Sequence, residues 1–422
     1  MGFIDGLYQR RIQSYNVKPR IMLSGNGAFA HSTMQILRDK GAEVSCYLTR
    51  ANGNFGASSV GKTWMQKDHP SPIPIIRKWK PDVIIPMSID WHNEPWATEL
   101  KTPVFSPVGE AIKIESDRDF ARALCEEFNI AYPQTYLAKN KSAALKILKN
   151  DPRPYVIKNP ICSPKSPIHA IVCKSVEDTY EWLNRVDFSE GVFLQEYLGA
   201  VEIAHFAFVS NGNIQSIMTH WEYKRAFTGD MGPIAGAPLG SLVEQDINDK
   251  YGLLREFILP LQPWLEKTHF RGILSVSAVK KNKRWYVIEY NVRIGVTINA
   301  FILQMLKNPA EVIIAVASGR KIKPSWDYPK KWGCSLTLAG YGYPYPLSVK
   351  PPKLQVSLTA TLDCDLWWND VDKTDNGIYT CGPRIAEVTS LAENKQEAVS
   401  IVYKNIEKVQ CLESYYRLDI GG

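Results

Sequence analysis

The first hundred residues alternate short apolar runs with polar stretches of helical spacing. Apolar runs of strand length cover 20–24, 43–48 and 82–86, and a helix is expected between the first two, ending at Lys40. A fourth strand is expected over 103–106. Strand–helix alternation of this kind predicts a small parallel sheet. A helix is expected over 117–128, and a new unit begins there. The texture then turns antiparallel. Residues 155–158 and 170–173 read as a hairpin around a loop rich in Pro, Ser and Lys. Residues 192–198, 205–209 and 214–219 read as one antiparallel set, with Ser210-Asn-Gly212 as a hairpin turn. A helical stretch covers 249–267, broken near Pro260 and Pro263. Strands follow around Leu274 and Val287, then a helix over 300–306. Past Pro324, strands are expected over 336–340, 354–361 and 384–389, and an amphipathic helix over 395–408. There is no internal repeat and no low-complexity tract.

Within this pattern the stretch Trp285-Tyr-Val-Ile-Glu-Tyr-Asn-Val-Arg293 carries the most chemistry. Val287 anchors it to the core. Glu289, Asn291 and Arg293 project to one face, because strand side chains alternate with period two. A carboxylate and a carboxamide so spaced can hold one Mg²⁺ through oxygen, leaving room for phosphate oxygens. An arginine at the next same-face position can grip a phosphate or carboxylate bidentately. That equipment suits ATP. The alternative is an edge strand with a solvated polar face.

Bulk properties narrow the setting. With 422 residues the chain has room for two to four compact units. The net charge of +7 is modest and its basic residues are scattered, so no nucleic-acid groove is demanded, while an anionic small substrate is suited. The opening Met-Gly-Phe-Ile-Asp-Gly has no apolar h-region, so no signal peptide is expected, and no apolar run approaches bilayer length. The eight cysteines form no Cys-x-x-Cys and no Cys/His cluster, which argues for the reduced thiols of a cytoplasm and against structural zinc.

Three features invite other readings. Gly56-Ala-Ser-Ser-Val-Gly-Lys-Thr63 fits the Walker A pattern. A phosphate loop needs a buried strand before it and a helix after it. Here a polar segment precedes it, and Pro70 and Pro72 follow, so a surface loop is expected and a P-loop kinase is disfavoured. Gly25-Asn-Gly27-Ala-Phe-Ala30 fits the dinucleotide fingerprint, but Tyr47, Leu48 and Thr49 stand where an acid should close the next strand. Close strand–helix packing accounts for its glycines, with room for contact to a substrate anion. His31 and His205 are lone histidines and read as packed or exposed side chains rather than ligands.

Several segments, in the right order over most of the chain, resemble the phosphoribosylamine–glycine ligases, ATP-grasp enzymes of purine synthesis. The family strand Leu-Glu-Phe-Asn-x-Arg-Phe-Gly resembles Ile288-Glu-Tyr-Asn-Val-Arg-Ile-Gly295. Its Lys-Arg…Gly-Asp-x-Gly-Pro-Asn-Thr-Gly loop resembles the segment from Lys224 and Arg225 through Gly229, Asp230, Gly232 and Pro233 to Gly236. Its hinge Glu-Glu-Phe-Leu resembles Gln195-Glu-Tyr-Leu198, followed by Glu202. Further likeness lies at Leu338–Pro344, Gly382–Thr389 and Tyr415–Gly421.

The resemblance implies an α/β and α+β multidomain chain. It would hold an N-terminal Rossmann-like pre-ATP-grasp domain at 1–115 and an ATP-grasp domain at 116–325 with a covering subdomain at about 130–195. A small, β-rich C-terminal α+β domain at 326–422 would complete the active site. It implies Mg²⁺ (or Mn²⁺) on Glu289 and Asn291. ATP would sit among Arg118, Lys158, Lys165, the hinge Glu196, Tyr197 and Leu198, and Glu202. Arg293 and Lys224 would be catalytic, and Asp230 is the candidate proton acceptor, with loop structure as its other reading. Gly25, Gly27, His31, Arg225, Gly232 and Gly236 would line the substrate sites. An amino-acid carboxylate and an amine would be joined through an acyl phosphate, by a monomer or homodimer without membrane or nucleic-acid partners.

The departures concern substrates. The family's Gly-Gly-Arg-Glu-His becomes Gly27-Ala-Phe-Ala-His31. The glycine-rich covering loop becomes Asn159-Pro-Ile-Cys-Ser-Pro-Lys-Ser-Pro167, where prolines remove donors and Lys165 offers a side-chain charge in partial compensation. Asn-Thr-Gly-Gly becomes Ile234-Ala-Gly-Ala237. Two alternatives therefore stand beside glycine ligation. One is a specialised relative joining another amino acid to a modified nucleotide or natural-product precursor. The other is a non-catalytic nucleotide-binding protein.

Overall fold

The computed structural model describes residues 18–49, 53–162, 170–327, 330–345 and 351–422. Four parallel strands open the chain: β1 (Arg20–Gly25), β2 (Glu43–Leu48), β3 (Lys62–Met65) and β4 (Val83–Pro86), in the order β3-β2-β1-β4. The segment expected as a further strand at 103–106 makes a single bridge, Ile84 to Val104. The Walker-like segment is not a loop. It forms a short helix, Phe55–Ser58, and then β3 at the sheet edge. A Cβ on Gly56 would lie 2.6 Å from the Trp368 carbonyl, and one on Gly61 would lie 2.6 Å from that of Val44. Those glycines are therefore packing residues, and a strand follows where a phosphate loop needs a helix. Pro72, expected with Pro70 to stop a helix, caps the start of one instead. Pro72 and Pro74 stand at the start of the helix Ile73–Trp79, where an absent N–H costs nothing.

A small sheet in the order β5-β8-β6-β7 follows, made of β5 (Thr135–Ala138), β6 (Tyr155–Lys158), β7 (Ile171–Val172) and β8 (Val192–Glu196). Helices Lys141–Asn150 and Val176–Leu183 cover it, and it has its own core around Tyr155, Ile157, Leu183 and Leu194. β8 was expected to pair with 205–209. It pairs with β5 and β6 instead, and the chain leaves this sheet through Gly199 at φ +122°.

The body is one antiparallel sheet of eight strands, β15-β14-β9-β10-β13-β16-β21-β18. Its strands are β9 (Glu202–Ser210), β10 (Asn213–Glu222), β13 (Gly240–Gln245), β14 (Arg271–Lys281), β15 (Arg284–Asn291), β16 (Trp332–Ala339), β18 (Asp365–Trp368) and β21 (Arg384–Ala392). The hairpin β11 (Arg225–Phe227) and β12 (Met231–Ile234) stands off it. β17 (Gln355–Leu358), β19 (Val371–Thr374), β20 (Gly377–Thr380) and β22 (Val409–Cys411) make a fourth sheet. Two-residue turns with both residues at positive φ join β9 to β10 (Asn211-Gly212) and β14 to β15 (Asn282-Lys283). That geometry matches the twist of the flanking strands. β13 pairs with β16, so the sheet is continuous across position 325. The apolar run 312–317 lies in a buried helix, Pro309–Ala317. Among the described residues no helix is long and apolar enough to cross a membrane.

The first sheet shares one core with the body, in which Ile21, Leu23 and Ile85 join Phe208, Ile273 and Phe301. Asn299 donates to Ser32 and Thr33 Oγ atoms at 2.7 and 2.9 Å across this contact. His31 ties the first sheet to β18. Its Nδ1 accepts the Trp368 N–H at 2.8 Å, and its ring meets Trp367 edge-on. Burial, with help from Arg38, lowers its pKa from the ordinary 6.5 to about 4. A depressed folded-state pKa contributes stability that is present above pH 6.5 and is lost as pH falls through 4. His31→Asn, whose amide oxygen can replace the acceptor but cannot titrate, is expected to flatten the stability profile between pH 6.5 and 4. Urea unfolding of both proteins across that range is the check, and parallel profiles would refute the assignment.

Candidate active site

The site is built on an irregularity in β15. Ser277 faces Glu289 and Ala278 faces Val287, so Ile288 is an extra residue in the ladder. The bulge shifts the parity of the strand. Val287 and Tyr290 are both buried, while Glu289, Asn291 and Arg293 lie on the other, half-buried face. A regular strand would have placed Val287 and Glu289 on the same side, so the core anchor and the carboxylate coexist only because of the bulge. The Ile288 carbonyl, freed from the ladder, accepts Lys158 Nζ at 3.4 Å and Gln195 Nε2 at 3.3 Å, and Lys158 also donates to Gln195 Oε1 at 2.9 Å. The covering sheet thus delivers its lysine to the body strand.

Charges converge here. Lys224, just before β11, reaches Glu202 on β9 at 2.6 Å, and Glu222 on β10 and Glu289 on β15 both at 3.3 Å. Burial alone would raise the Glu289 carboxyl, but Lys224, Lys158 and Arg118 outweigh it and hold it well below the usual carboxylate range. Burial also works against the Lys224 ammonium, yet Glu202, Glu289 and Glu222 keep its pKa well above the ordinary value. Lys158 is pushed down to about 8, first by burial and then by Arg118. Glu202 is raised by burial, against the pull of Lys224. The arrangement gathers Glu202, Glu222 and Glu289 with Lys158 and Lys224 in one largely buried cluster, which fits a polyanion with its counter-ion.

Other expected residues are placed as follows. Arg118 starts the helix Arg118–Glu127, capped by Asp117, and its Nε donates to the Asn159 carbonyl at 2.9 Å. Arg293 Nε meets Glu115 Oε1 at 3.0 Å, and its Nη2 lies 3.4 Å from Asn291 Oδ1. In the hinge, the Glu196 and Tyr197 N–H groups already donate to the carbonyls of Gln134 and Pro154, and the Glu196 carboxylate pairs with Arg153 and Lys281. The Leu198 N–H has no partner among the described residues. Gly25, at φ +145°, approaches Met87 too closely for a Cβ, and Gly27 is at φ +84° in the same turn. Lys165 lies outside the described residues.

Four residues expected at the substrate sites or as the proton acceptor have partners or surroundings that bear on those roles. Asp230 is not a free base, because its carboxylate accepts from Arg417 Nη2 at 2.8 Å. Arg225 donates to the Gly232 carbonyl at 2.7 Å within its own hairpin, while Gly236 has open space around its Cα. His31 is engaged by Trp368, in keeping with its reading as a packed side chain. The hairpin is fixed from the chain's far end. Arg417, fully buried, donates to the Arg225 carbonyl, Asp230 and both Asp419 oxygens, and Asp419 accepts the Gly229 N–H at 2.9 Å. Arg384 holds the following segment through the Ala237 and Pro238 carbonyls at 3.2 and 2.9 Å.

Residues 116–297 match the family described as phosphoribosylglycinamide synthetase, ATP-grasp (A) domain. This region has the ATP-grasp fold. It contains Arg118, Lys158, Glu202, Lys224, Glu289, Asn291 and Arg293. The phosphoribosylamine–glycine ligase of Thermotoga maritima is 26% identical over 416 residues, covering 95% of this chain and 99% of the relative. That of Fusobacterium nucleatum is 26% identical over 342 residues, covering 76% of this chain and 79% of the relative. The crystal structure of the T. maritima ligase superposes with a TM-score of 0.77 at 24% identity, over 95% of this chain and all (100%) of that one. The biotin carboxylase domain of the Hydrogenobacter thermophilus 2-oxoglutarate carboxylase, solved with MgADP and bicarbonate, superposes with a TM-score of 0.68 at 11% identity over 94% of this chain and 91% of that one. The ATP-grasp fold with mixed α/β content, expected from the sequence, is thereby shown.

Sequence reasoning missed Glu115, Gln195, Glu222, Arg384 and Arg417 as parts of this region. Gln195, Arg384 and Arg417 lie inside segments whose likeness was noted, and Glu222 stands two residues before Lys224. Glu115 had no local signal, since its partner Arg293 is 178 residues away.

Proposed function

We propose that the protein is an ATP-dependent carboxylate–amine ligase that activates glycine as an acyl phosphate and joins it to phosphoribosylamine. The observation that carries this reading is the gathering of Glu289, Asn291 and Arg293 with Lys158, Lys224 and Arg118 inside an ATP-grasp domain. A carboxylate resists amines because resonance and negative charge protect its carbon. Transfer of the terminal phosphoryl group of ATP to a carboxylate oxygen gives an acyl phosphate and ADP. The neutral amine then attacks the carbonyl carbon, phosphate leaves with the C–O electron pair, and the nitrogen gives up a proton. The task of the protein is positioning and charge neutralisation.

Lys158 and Arg118 bring cationic charge from the covering side, and Lys224 brings it from the body. Arg293, with its Nε engaged by Glu115, keeps its outer nitrogens directed at the same region as Asn291. An ionised Glu289 and the Asn291 Oδ1 form a hard-oxygen donor pair that fits Mg²⁺ or Mn²⁺. Bound there, the ion would supply Lewis-acid charge to phosphate oxygens. The Leu198 N–H is the hinge donor available to an adenine edge.

One observation favours a second reading of the amine alone. At the turn after β1, Phe29 and Ala30 are 3% and 2% exposed and belong to the core. They stand where the resembling family has arginine and glutamate, so this turn offers no charged side chain to a phosphoribosyl group. The test is ADP and amide formation with ATP, Mg²⁺ and glycine, using freshly made phosphoribosylamine and then a panel of other primary amines. Glycinamide ribonucleotide formed in step with ADP supports the first reading, and amide formed only with another amine supports the second. ATP turnover without any amide product would sink both.

A further inference from the structure

Glu115 is a buried carboxylate that touches no reacting group and meets the site only through Val292 and Arg293. Its side chain is 2% exposed, on the short helix Lys113–Ser116 that joins the first sheet to the ATP-grasp domain. Both oxygens are engaged on a single target. Oε2 accepts the Val292 N–H at 2.6 Å, and Oε1 accepts Arg293 Nε at 3.0 Å. The first bond fixes the peptide directly after Asn291. The second holds the inner edge of the guanidinium, so that Nη2 comes within 3.4 Å of Asn291 Oδ1. Arg293 remains 38% exposed on its outer side.

A buried carboxylate is costly unless it is paired and hydrogen-bonded. A core methionine or leucine at this position would fill similar space without that cost. What the carboxylate adds is direction. An arginine gripped at Nε cannot rotate about its last torsions, so its two Nη groups form a preorganised fork rather than a mobile charge. The same carboxylate, by holding Val292, sets the strand end from which Asn291 projects. We infer that Glu115 is a positioning residue, which aims Arg293 and the strand end at Asn291 towards the terminal phosphoryl group of the nucleotide. This inference rests on the reading of the cleft as an ATP site, but not on the identity of either ligation substrate.

The test separates the terminal phosphate from the rest of the nucleotide. Affinities for ADP and for a non-hydrolysable ATP analogue, both with Mg²⁺, are measured by calorimetry on the full chain for the parent, Glu115→Gln, Arg293→Ala and the double variant. Glu115→Gln keeps the shape but can accept only one of the two bonds. It is expected to weaken the ATP analogue about tenfold while ADP stays within about twofold, a loss the size of one misplaced charged contact. Arg293→Ala should do the same or more, and adding Glu115→Gln to it should change little, because the two residues act as one unit. Equal weakening of both nucleotides, or losses that add in full, would assign Glu115 to scaffold alone and overturn the inference. A parent protein that binds the analogue no better than ADP would overturn it as well. Should Arg293→Ala fail to fold, Arg293→Lys takes its place, with thermal midpoints recorded for every variant. A protein that shows the expected binding pattern yet forms no amide would leave this inference standing and refute the ligase reading.

Discussion

Glu289→Ala abolishes ADP formation, with turnover falling by about a thousandfold or more, the scale of losing a preorganised charged contact at a phosphoryl-transfer centre. Its thermal midpoint stays within about 4 °C of the parent, as expected for a change of about 1 kcal/mol or less in a chain of this size. Both halves of the expectation follow from where the side chain sits. It is 26% exposed in a charged cluster, outside the apolar core. Once it is gone, Lys224 still has Glu202 and Glu222 as partners, so no buried cation is left alone. The measurement is a coupled ADP assay beside a melting curve. Turnover close to the parent would end the assignment of this carboxylate, whatever the melting curve shows.

Arg417→Met costs about 3 kcal/mol of folding stability, the low end for removing one member of a buried charged network. The low end applies because its partners can recover water, with Asp230 67% and Asp419 30% exposed at the side chain. The Arg225 carbonyl also loses the Nη1 donor that reaches it at 2.9 Å. The ring of Tyr223, over which the guanidinium lies at 5.2 Å, keeps an apolar neighbour in methionine. Urea unfolding with both slope and midpoint fitted gives the number, and a loss under about 1 kcal/mol would show that the C-terminal segment does not hold the hairpin. The loosened hairpin carries the segment from Arg225 to Gly236. If this lines the amine site, the KM for the amine rises more than that for ATP.

Much of this was legible in the chain. The apolar runs at 20–24, 43–48 and 82–86 became the first parallel sheet, and Asn211-Gly212 became the turn expected of it. Glu289, Asn291 and Arg293 share a face as period two requires. Period two alone, however, would have turned Val287 to that face too. The bulge at Ile288 depends on pairing with Ser277 and Ala278, which no local pattern encodes. The Walker-like letters misled for a related reason. Glycines serve close packing as readily as phosphate binding, and only the carbonyls of Trp368 and Val44, distant in sequence, decide which. Asp230 and His31 look reactive in isolation. Their partners Arg417 and Trp368 lie 187 and 337 residues further along the chain, beyond the reach of any motif. The strands β18 to β20 were missed because each is only four residues long and largely half-exposed or exposed, with charges in β18 and β19.

The unbroken eight-stranded sheet has a practical consequence for anyone who would cut the molecule. Ending the chain at 325 removes β16, β21 and β18, and strips from β13 the partner that covers Gly240–Glu244. That margin, lined by Leu242 and Val243, would then offer bare amides and carbonyls to any passing strand, its own twin included. A fragment ending there should precipitate or pair with itself, whereas one carried through Ala392 keeps this flank sealed.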